Sequence, residues 1–464
     1  MALMNALPVT DEAVLSGLIE EQERRFCDRM PRSEWMLREA RGALAGGVAS
    51  SWQAAPPRAV WLTHGRGSKV YDVDGHEYVD LHNGFGVMLV GHAHPAVVHA
   101  VQDRVTLGTH FAQPTGDAIV VARELARRFL LPLWRFCNSG TEATMSAIHL
   151  MRTATGRDRI LKVEGTYHGH HDAVQVSVYP DLEDAGPPGH PASVREHDGV
   201  PAEVARLTVV VPFGDLEAVE RALLEYPDEI AGMIIEPTMM NIGIIEPPDG
   251  YLAELRALLH RHGAYLAFDE VKTGLAVAPG GMVERSGVVP DIVCLAKVLG
   301  GGLPCGAIGG SHEIMRLIED GRYEQVGTFN GNPLTMAAAR ATLLEVLTPD
   351  NYAWLDTLRA AMVRGVNDVF DRYRIPGYVK ALGAKGCIIF SATPLRNYRD
   401  FAAYDDRWGH AHWLVQHNGG VFLPPWGKGE QWTLSVQHTL DDVERFVANL
   451  ETFATSVRGA GERL

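Results

Sequence analysis

The chain has 464 residues, with 42 Lys+Arg against 57 Asp+Glu and a formal net charge of −15. Hydrophobic residues make up 46% and charged residues 21%, the balance of a globular protein with a sizeable core rather than of a disordered chain. The acidic surplus argues against a nucleic-acid or anionic-membrane partner, since neutralising phosphates takes an excess of Lys and Arg. The 5 cysteines are odd in number, scattered and without a C-x-x-C pair, which excludes a disulfide scaffold and suits a reducing compartment. The N-terminus shows neither a basic n-region nor a long apolar h-region, and no apolar stretch is long enough for a membrane span, so the expected location is cytoplasmic.

Residues 11–43 read as helix, capped by Asp11 and interrupted at Pro31. AVWLT, KVYDV and EYVDL follow as short strands, with Asp74-Gly75 as a hairpin turn. From about residue 95 helix and strand alternate. Helical periodicity covers 96–107, 116–130, 141–155, 215–226 and 250–262, and WRFCN, RILKVEG, LTVVVPF, IAGMIIEP, AYLAFDE and DIVCLAK read as strands. Apolar runs separated by helices predict an α/β fold with a mostly parallel sheet, helices on both faces, and ligands at the carboxyl ends of the strands. Beyond residue 333 the pattern becomes a smaller α+β unit, with helices at 333–347, 351–374 and 440–453 and strands at CIIFSA and WTLSVQH. The expected division is 1–80, an N-terminal segment of the small domain; 81–332, the large domain; and 333–464, the C-terminal small domain. The Pro/Gly-rich segment 180–201 has the length of a lid, with plain disorder as the alternative.

Three features at strand ends carry chemistry. Asp269 closes the run AYLAF, where a carboxylate needs a positive partner. Lys297 follows DIVCLA and precedes Gly300–Gly302; burial lowers a lysine's pKa and frees its amine for attack on a carbonyl, while the ordinary alternative is a side chain snorkelling to solvent. Ser139-Gly140-Thr141-Glu142 reads as a capping box, and the same helix start suits a phosphate. His168, His170 and His171 lack metal-ligand spacing, so no metal is expected. A phosphate cradle, a carboxylate for a protonated ring nitrogen and a lysine for an aldehyde together describe pyridoxal 5'-phosphate.

The motifs VYDVDGHEYVDL, GHAHPAVVHAV, NSGTEA, EGTYHGHHD, IIEPTMMNIG, FDEVKTG, AKVLGGGLPCGAIGG, GTFNGNPL and SVQHT follow one another in the order seen in class III pyridoxal-phosphate aminotransferases. The chain resembles that family from about Gly46 onward, and within it the glutamate-1-semialdehyde 2,1-aminomutase subgroup. The resemblance implies the fold type I transferase architecture with a seven-stranded type of sheet. It also implies a Schiff base on Lys297, a ring-nitrogen partner in Asp269, Tyr167 and Val271 against the two ring faces, and Ser139, Gly140 and Thr141 at the phosphate. Glu236 and Asn241 match positions near the ring, His168 a supporting one, and Thr328 a position that reaches the phosphate of a neighbouring subunit, so a homodimer is expected.

The substrate region departs from the subgroup. Its proline-glycine-glycine-valine-asparagine-serine stretch reads Ala45-Gly46-Gly47-Val48-Ala49-Ser50 here, and the arginine expected for the substrate carboxylate is Gln53. A second expected arginine is replaced by Ala276 after Leu275. A neutral amide does not replace a bidentate guanidinium–carboxylate pair. Ser50 stands about where the β-amino-acid transaminases of this subgroup carry an arginine, and Trp52 beside Gln53 reads as a bulkier, less charged pocket wall, whereas Glu430 does match a mutase glutamate. The expectation is an aminotransferase moving an amino group from an amino-acid donor to a ketone or aldehyde acceptor by a ping-pong scheme. The alternative is the aminomutase itself, which moves the group within one molecule.

Overall fold

The computed structural model describes residues 12–425, 428–429 and 431–458, which leaves Asp11 and Glu430 outside the described residues. The chain folds into two units, Met1–His94 with Ala353–Pro394 and Tyr404–Leu464, and Pro95–Tyr352 with Leu395–Ala403. Residues 81–94 thus group with the first unit, and 333–352 with the second, whereas the sequence pattern places its boundaries at 80 and 332. Contacts within each unit decide this. Asn83 donates its amide to the Thr433 carbonyl at 2.6 Å in the first, and helix Pro333–Ala341 packs on helix Pro95–Val105 in the second.

In the first unit, helices Glu12–Arg29 and Pro31–Ala40 precede strands β1 (Leu62–Arg66), β2 (Lys69–Asp72) and β3 (Glu77–Asp80). β2 and β3 form the expected hairpin, with Gly75 at φ +94° in its turn.

The second unit holds β4 (Leu133–Cys137), β5 (Arg159–Val163), β6 (Thr208–Val211), β7 (Ile230–Ile235), β8 (Tyr265–Asp269), β9 (Ile292–Leu295) and β10 (Gly306–Gly310). They build one sheet in the order β4-β10-β9-β8-β7-β5-β6. Only β10 runs against its neighbours β4 and β9; the other pairings are parallel. The fold is α/β, with a mostly parallel seven-stranded sheet and a smaller domain. β10 escapes the sequence pattern because GAIGG has weak strand propensity. Its glycines are there for closeness: a Cβ at Gly309 would stand 2.4 Å from the Trp134 ring, and one at Gly306 2.5 Å from the Ser139 carbonyl.

Helix Gly140–Thr155 packs Ala147, Leu150 and Met151 against Ile160, Ile234, Ala267 and Ile308 of the sheet, all fully buried. Each such aliphatic side chain contributes about 1.5–3 kcal/mol, which fixes the sheet and so the height of its carboxyl edge. The expected helix 333–347 proves to be Pro333–Ala341 running into a π-helical turn, Thr342–Val346. The chain then adds β11 (Tyr378–Leu382), β12 (Lys385–Ile389), β13 (Val421–Phe422) and β14 (Trp432–Thr433) to the first unit. β13 lies parallel to β3, and β11-β12-β14 form a separate antiparallel sheet. Among the described residues no helix is long and apolar enough to cross a membrane.

Segment 180–201 is neither a strand nor a helix, yet it is anchored. The Arg399 guanidinium donates to both Glu164 oxygens at 2.9 and 3.0 Å and to the carbonyls of Ala185 and Gly186, and the Tyr398 hydroxyl donates to Pro180 O at 2.7 Å. These bonds tie the first part of the segment, Pro180 to Gly186, to helix Tyr398–Ala403.

Candidate active site

Because β4, β5, β7, β8 and β9 are parallel, their carboxyl ends share one edge of the sheet. The residues that follow them are Ser139, Tyr167, Glu236, Asp269 and Lys297. This edge is the ligand side of an open α/β sheet.

Asp269 is buried, and both its oxygens are used. Oδ2 accepts from His168 Nδ1 at 2.7 Å, and Oδ1 accepts from the Val271 amide at 3.0 Å. The carboxylate can only accept from Nδ1, so the Nδ1 proton is fixed by this contact. His168 Nε2 is buried without a partner among the described residues. Burial and the Asp269 charge together raise the Tyr167 pKa, so its hydroxyl stays neutral. Glu236, also buried, accepts from Asn241 Nδ2 at 2.7 Å, Met240 N at 2.8 Å and Tyr167 N at 3.3 Å.

Lys297 stands on left-handed backbone, φ +48°, directly after β9. Its amine is lowered to about 8, first by burial and second by the positive charge of Lys272; Asp269 and Glu236 oppose the shift. A lysine of this kind supplies a neutral nucleophile near physiological pH.

The start of helix Gly140–Thr155 forms the other wall. The Ser139 hydroxyl accepts from the Glu142 amide at 3.2 Å, but the Glu142 carboxylate reaches back to the Asn138 amide at 2.6 Å instead of Ser139's own. The capping box of the sequence reading is therefore half formed, shifted by one residue. Thr141 Oγ1 accepts from His170 N at 3.2 Å, and a Cβ added to Gly140 would meet Val271 at 3.0 Å. The Gly140 and Thr141 amides point out of the first turn as unsatisfied donors, a seat for phosphate. His171 is lowered to about 4 by burial, and its Nε2 lies 3.3 Å from the Thr144 hydroxyl, apart from the contact of His168 with Asp269.

The structure thus gathers Lys297, Asp269, Tyr167, His168, Glu236, Asn241, Val271, Ser139, Gly140 and Thr141 along one edge. Thr328 lies exposed in the same unit. Ser50, Trp52 and Gln53 form a separate group in the first unit, where Gln53 Oε1 accepts from Ala49 N at 3.1 Å and Trp52 sits 5.3 Å from the Phe85 ring. Two residues escaped the sequence reading. Lys162 is wholly buried on β5, ringed by carbonyls that include Thr166 O at 2.9 Å and Val176 O at 2.8 Å, and so holds the loop that presents Tyr167. Lys272 was visible in FDEVKTG, but its nearness to Lys297 depends on the fold.

The family model described as aminotransferase class-III matches residues 51–401. The chain belongs to this family. This class III aminotransferase is 37% identical to glutamate-1-semialdehyde 2,1-aminomutase 2 of Brevibacillus brevis over 423 residues, 90% of this chain and 96% of that one. Among solved structures it is similar to an omega-transaminase from Sphaerobacter thermophilus (33% identity, TM-score 0.88, 93% and 99% of the two chains). A glutamate-1-semialdehyde aminomutase from Pseudomonas aeruginosa PAO1, in complex with PMP, is 31% identical with a TM-score of 0.87 over 96% and 98%. The cofactor of this class III aminotransferase is pyridoxal phosphate. The site fits it: a helix start with spare amides, a fixed carboxylate and a lysine of lowered pKa stand on one edge.

Proposed function

We propose that this class III aminotransferase carries an amino group from an amino-acid donor to a separate ketone or aldehyde acceptor, in two successive half-reactions. The observation that carries amino transfer is the pairing of Lys297, lowered to about 8, with the doubly anchored Asp269 on one sheet edge. Pyridoxal phosphate supplies an aldehyde for amine exchange and a ring that takes up electrons as a proton leaves the substrate carbon.

The chain's residues do the rest. Lys297 would hold the aldehyde through its amine and, once displaced by a substrate amine, would serve as the base and acid that moves the proton of the substrate carbon. Asp269, kept in place by His168 and Val271 N, holds a proton on the ring nitrogen. Gly140 and Thr141 bind the phosphate through amides and hydroxyl, with the Ser139 cap fixing the turn. Tyr167 and Val271 confine the ring from its two faces, and Glu236 orients Asn241 beside it. Thr328 completes a phosphate site in a second copy of the chain. A homodimer is supported by the exposed apolar cluster around Thr328: Leu107, Phe111, Val326 and Phe329 are 69%, 48%, 80% and 57% exposed, and His110 lies against Phe329 at 4.9 Å.

Transfer between two molecules is supported by Gln53 and Ala276, which stand where arginines are expected of the mutase, and by the likeness to the omega-transaminase. The second reading, intramolecular transfer on glutamate-1-semialdehyde, is backed more directly by the curated relatives. Mixing holoenzyme separately with L-glutamate, L-alanine and glutamate-1-semialdehyde, while following the cofactor spectrum and products by mass spectrometry, separates them. Stoichiometric oxo acid from an amino acid establishes the transaminase. Silence with both amino acids and catalytic 5-aminolevulinate from the semialdehyde establishes the mutase and overturns the first reading.

A further inference from the structure

Lys272 lies in the turn after β8, half-buried. Among the described residues its ammonium has one hydrogen-bond partner, the Met240 carbonyl at 3.5 Å, the far limit of a hydrogen bond. The neighbouring carboxylates are already engaged. Asp269 holds His168 and Val271 N; Glu236 holds Asn241, Met240 N and Tyr167 N; Glu270 accepts from Thr273 Oγ1 and the amides of Met282 and Val283. Among the described residues no carboxylate forms an ion pair with Lys272. A partly desolvated cation without a counter-charge is costly and favours any anion brought to it.

Its direction narrows the choice of anion. Val271 packs toward Gly140 and the helix start that seats a phosphate, whereas the next residue, Lys272, turns to Met240 on the side of Glu236 and Asn241. Lys272 is nonetheless close enough to Lys297 for its charge to act there. A cation near the reacting amine, and away from the phosphate seat, is placed for an acid group a few bonds from the carbon that gains or loses nitrogen.

We propose that Lys272 is the cation that binds the carboxylate of the amino donor and of its oxo-acid product, and so sets a preference for acidic substrates. The proposal rests on the amino-transfer reading but holds for either of its forms, since both handle a carboxylate-bearing amine.

The test uses holoenzyme and the variants K272M, K272Q and K272R, each first shown to retain the bound-cofactor absorbance band. Succinate and glutarate are titrated against that band, with succinamide as the uncharged control, and exchange is measured with L-alanine and with isopropylamine, which differs in lacking the carboxylate. K272M and K272Q should weaken carboxylate binding about tenfold or more, with K272R in between. Their loss in kcat/KM for alanine should exceed that for isopropylamine by a similar factor, through KM. Carboxylates that leave the wild-type band unmoved, or equal losses for charged and neutral probes, overturn the role of Lys272. An enzyme that exchanges with neither amine and is also silent with glutamate-1-semialdehyde refutes the amino-transfer reading instead.

Discussion

Lys297 combines a left-handed backbone, φ +48°, with an amine held at about 8. Non-glycine residues in that region carry about 1–3 kcal/mol of strain, sustained here by the fully buried β9 before it and the glycine turn after it. Burial dominates the shift of the amine, so its uncharged fraction should rise through about pH 8 rather than through the usual lysine range. Stopped-flow absorbance of apoenzyme with added pyridoxal phosphate should show the rate of covalent capture climbing with pH to a plateau, with a midpoint near 8; a midpoint above about 10 would contradict the environment described. Asp269 offers a second test. D269N keeps the shape but removes the charge, and should lower amino transfer by roughly 10²–10³-fold in either half-reaction. Activity within about threefold of wild type would remove Asp269 from the mechanism.

At the scale of elements, the loop after β5 shows how long-range bonds replace local structure. Segment 180–201 has no named strand or helix; its first part is fixed by Tyr398 and Arg399 from far along the chain, and its second part by an antiparallel bridge between Val176 and Arg195. Replacing Arg399 by Ala would strand the buried Glu164 carboxylate and free two carbonyls, at a cost of about 3–5 kcal/mol. The expected signature is a lowered Tm with faster amide exchange across 180–187, and unchanged exchange there would show that the loop is held by something else. The glycine strand β10 makes the complementary point. It was not among the strands read from sequence, yet the cramped space between β4 and β9 leaves no room for a side chain at Gly306 and Gly309, where Ser139 O and Trp134 stand, while Ile308 fills the core.

At the scale of the whole molecule, Leu107, Phe111, Val326 and Phe329 form an exposed apolar cluster beside Thr328. If the proposed homodimer forms there, the double substitution V326E/F329E should give a monomer in light scattering and abolish most activity, because the phosphate site would lose the residue supplied by the second copy. A fully active monomer would overturn the shared site. Much of the fold was legible in one dimension. The apolar runs at 159–163, 230–235, 265–269 and 292–295 announced parallel strands, and their ends singled out Asp269 and Lys297 as candidates, because burial on both faces leaves strand ends as the places where polar groups meet ligand. Sequence order alone could not supply what distance in space creates. The bond from His168 to Asp269, the Asn138 partner of Glu142, the clamp of Arg399 on 180–187 and the closeness of Lys272 to Lys297 all join groups whose energies depend on mutual burial and separation, and those are settled only when the sheet is assembled.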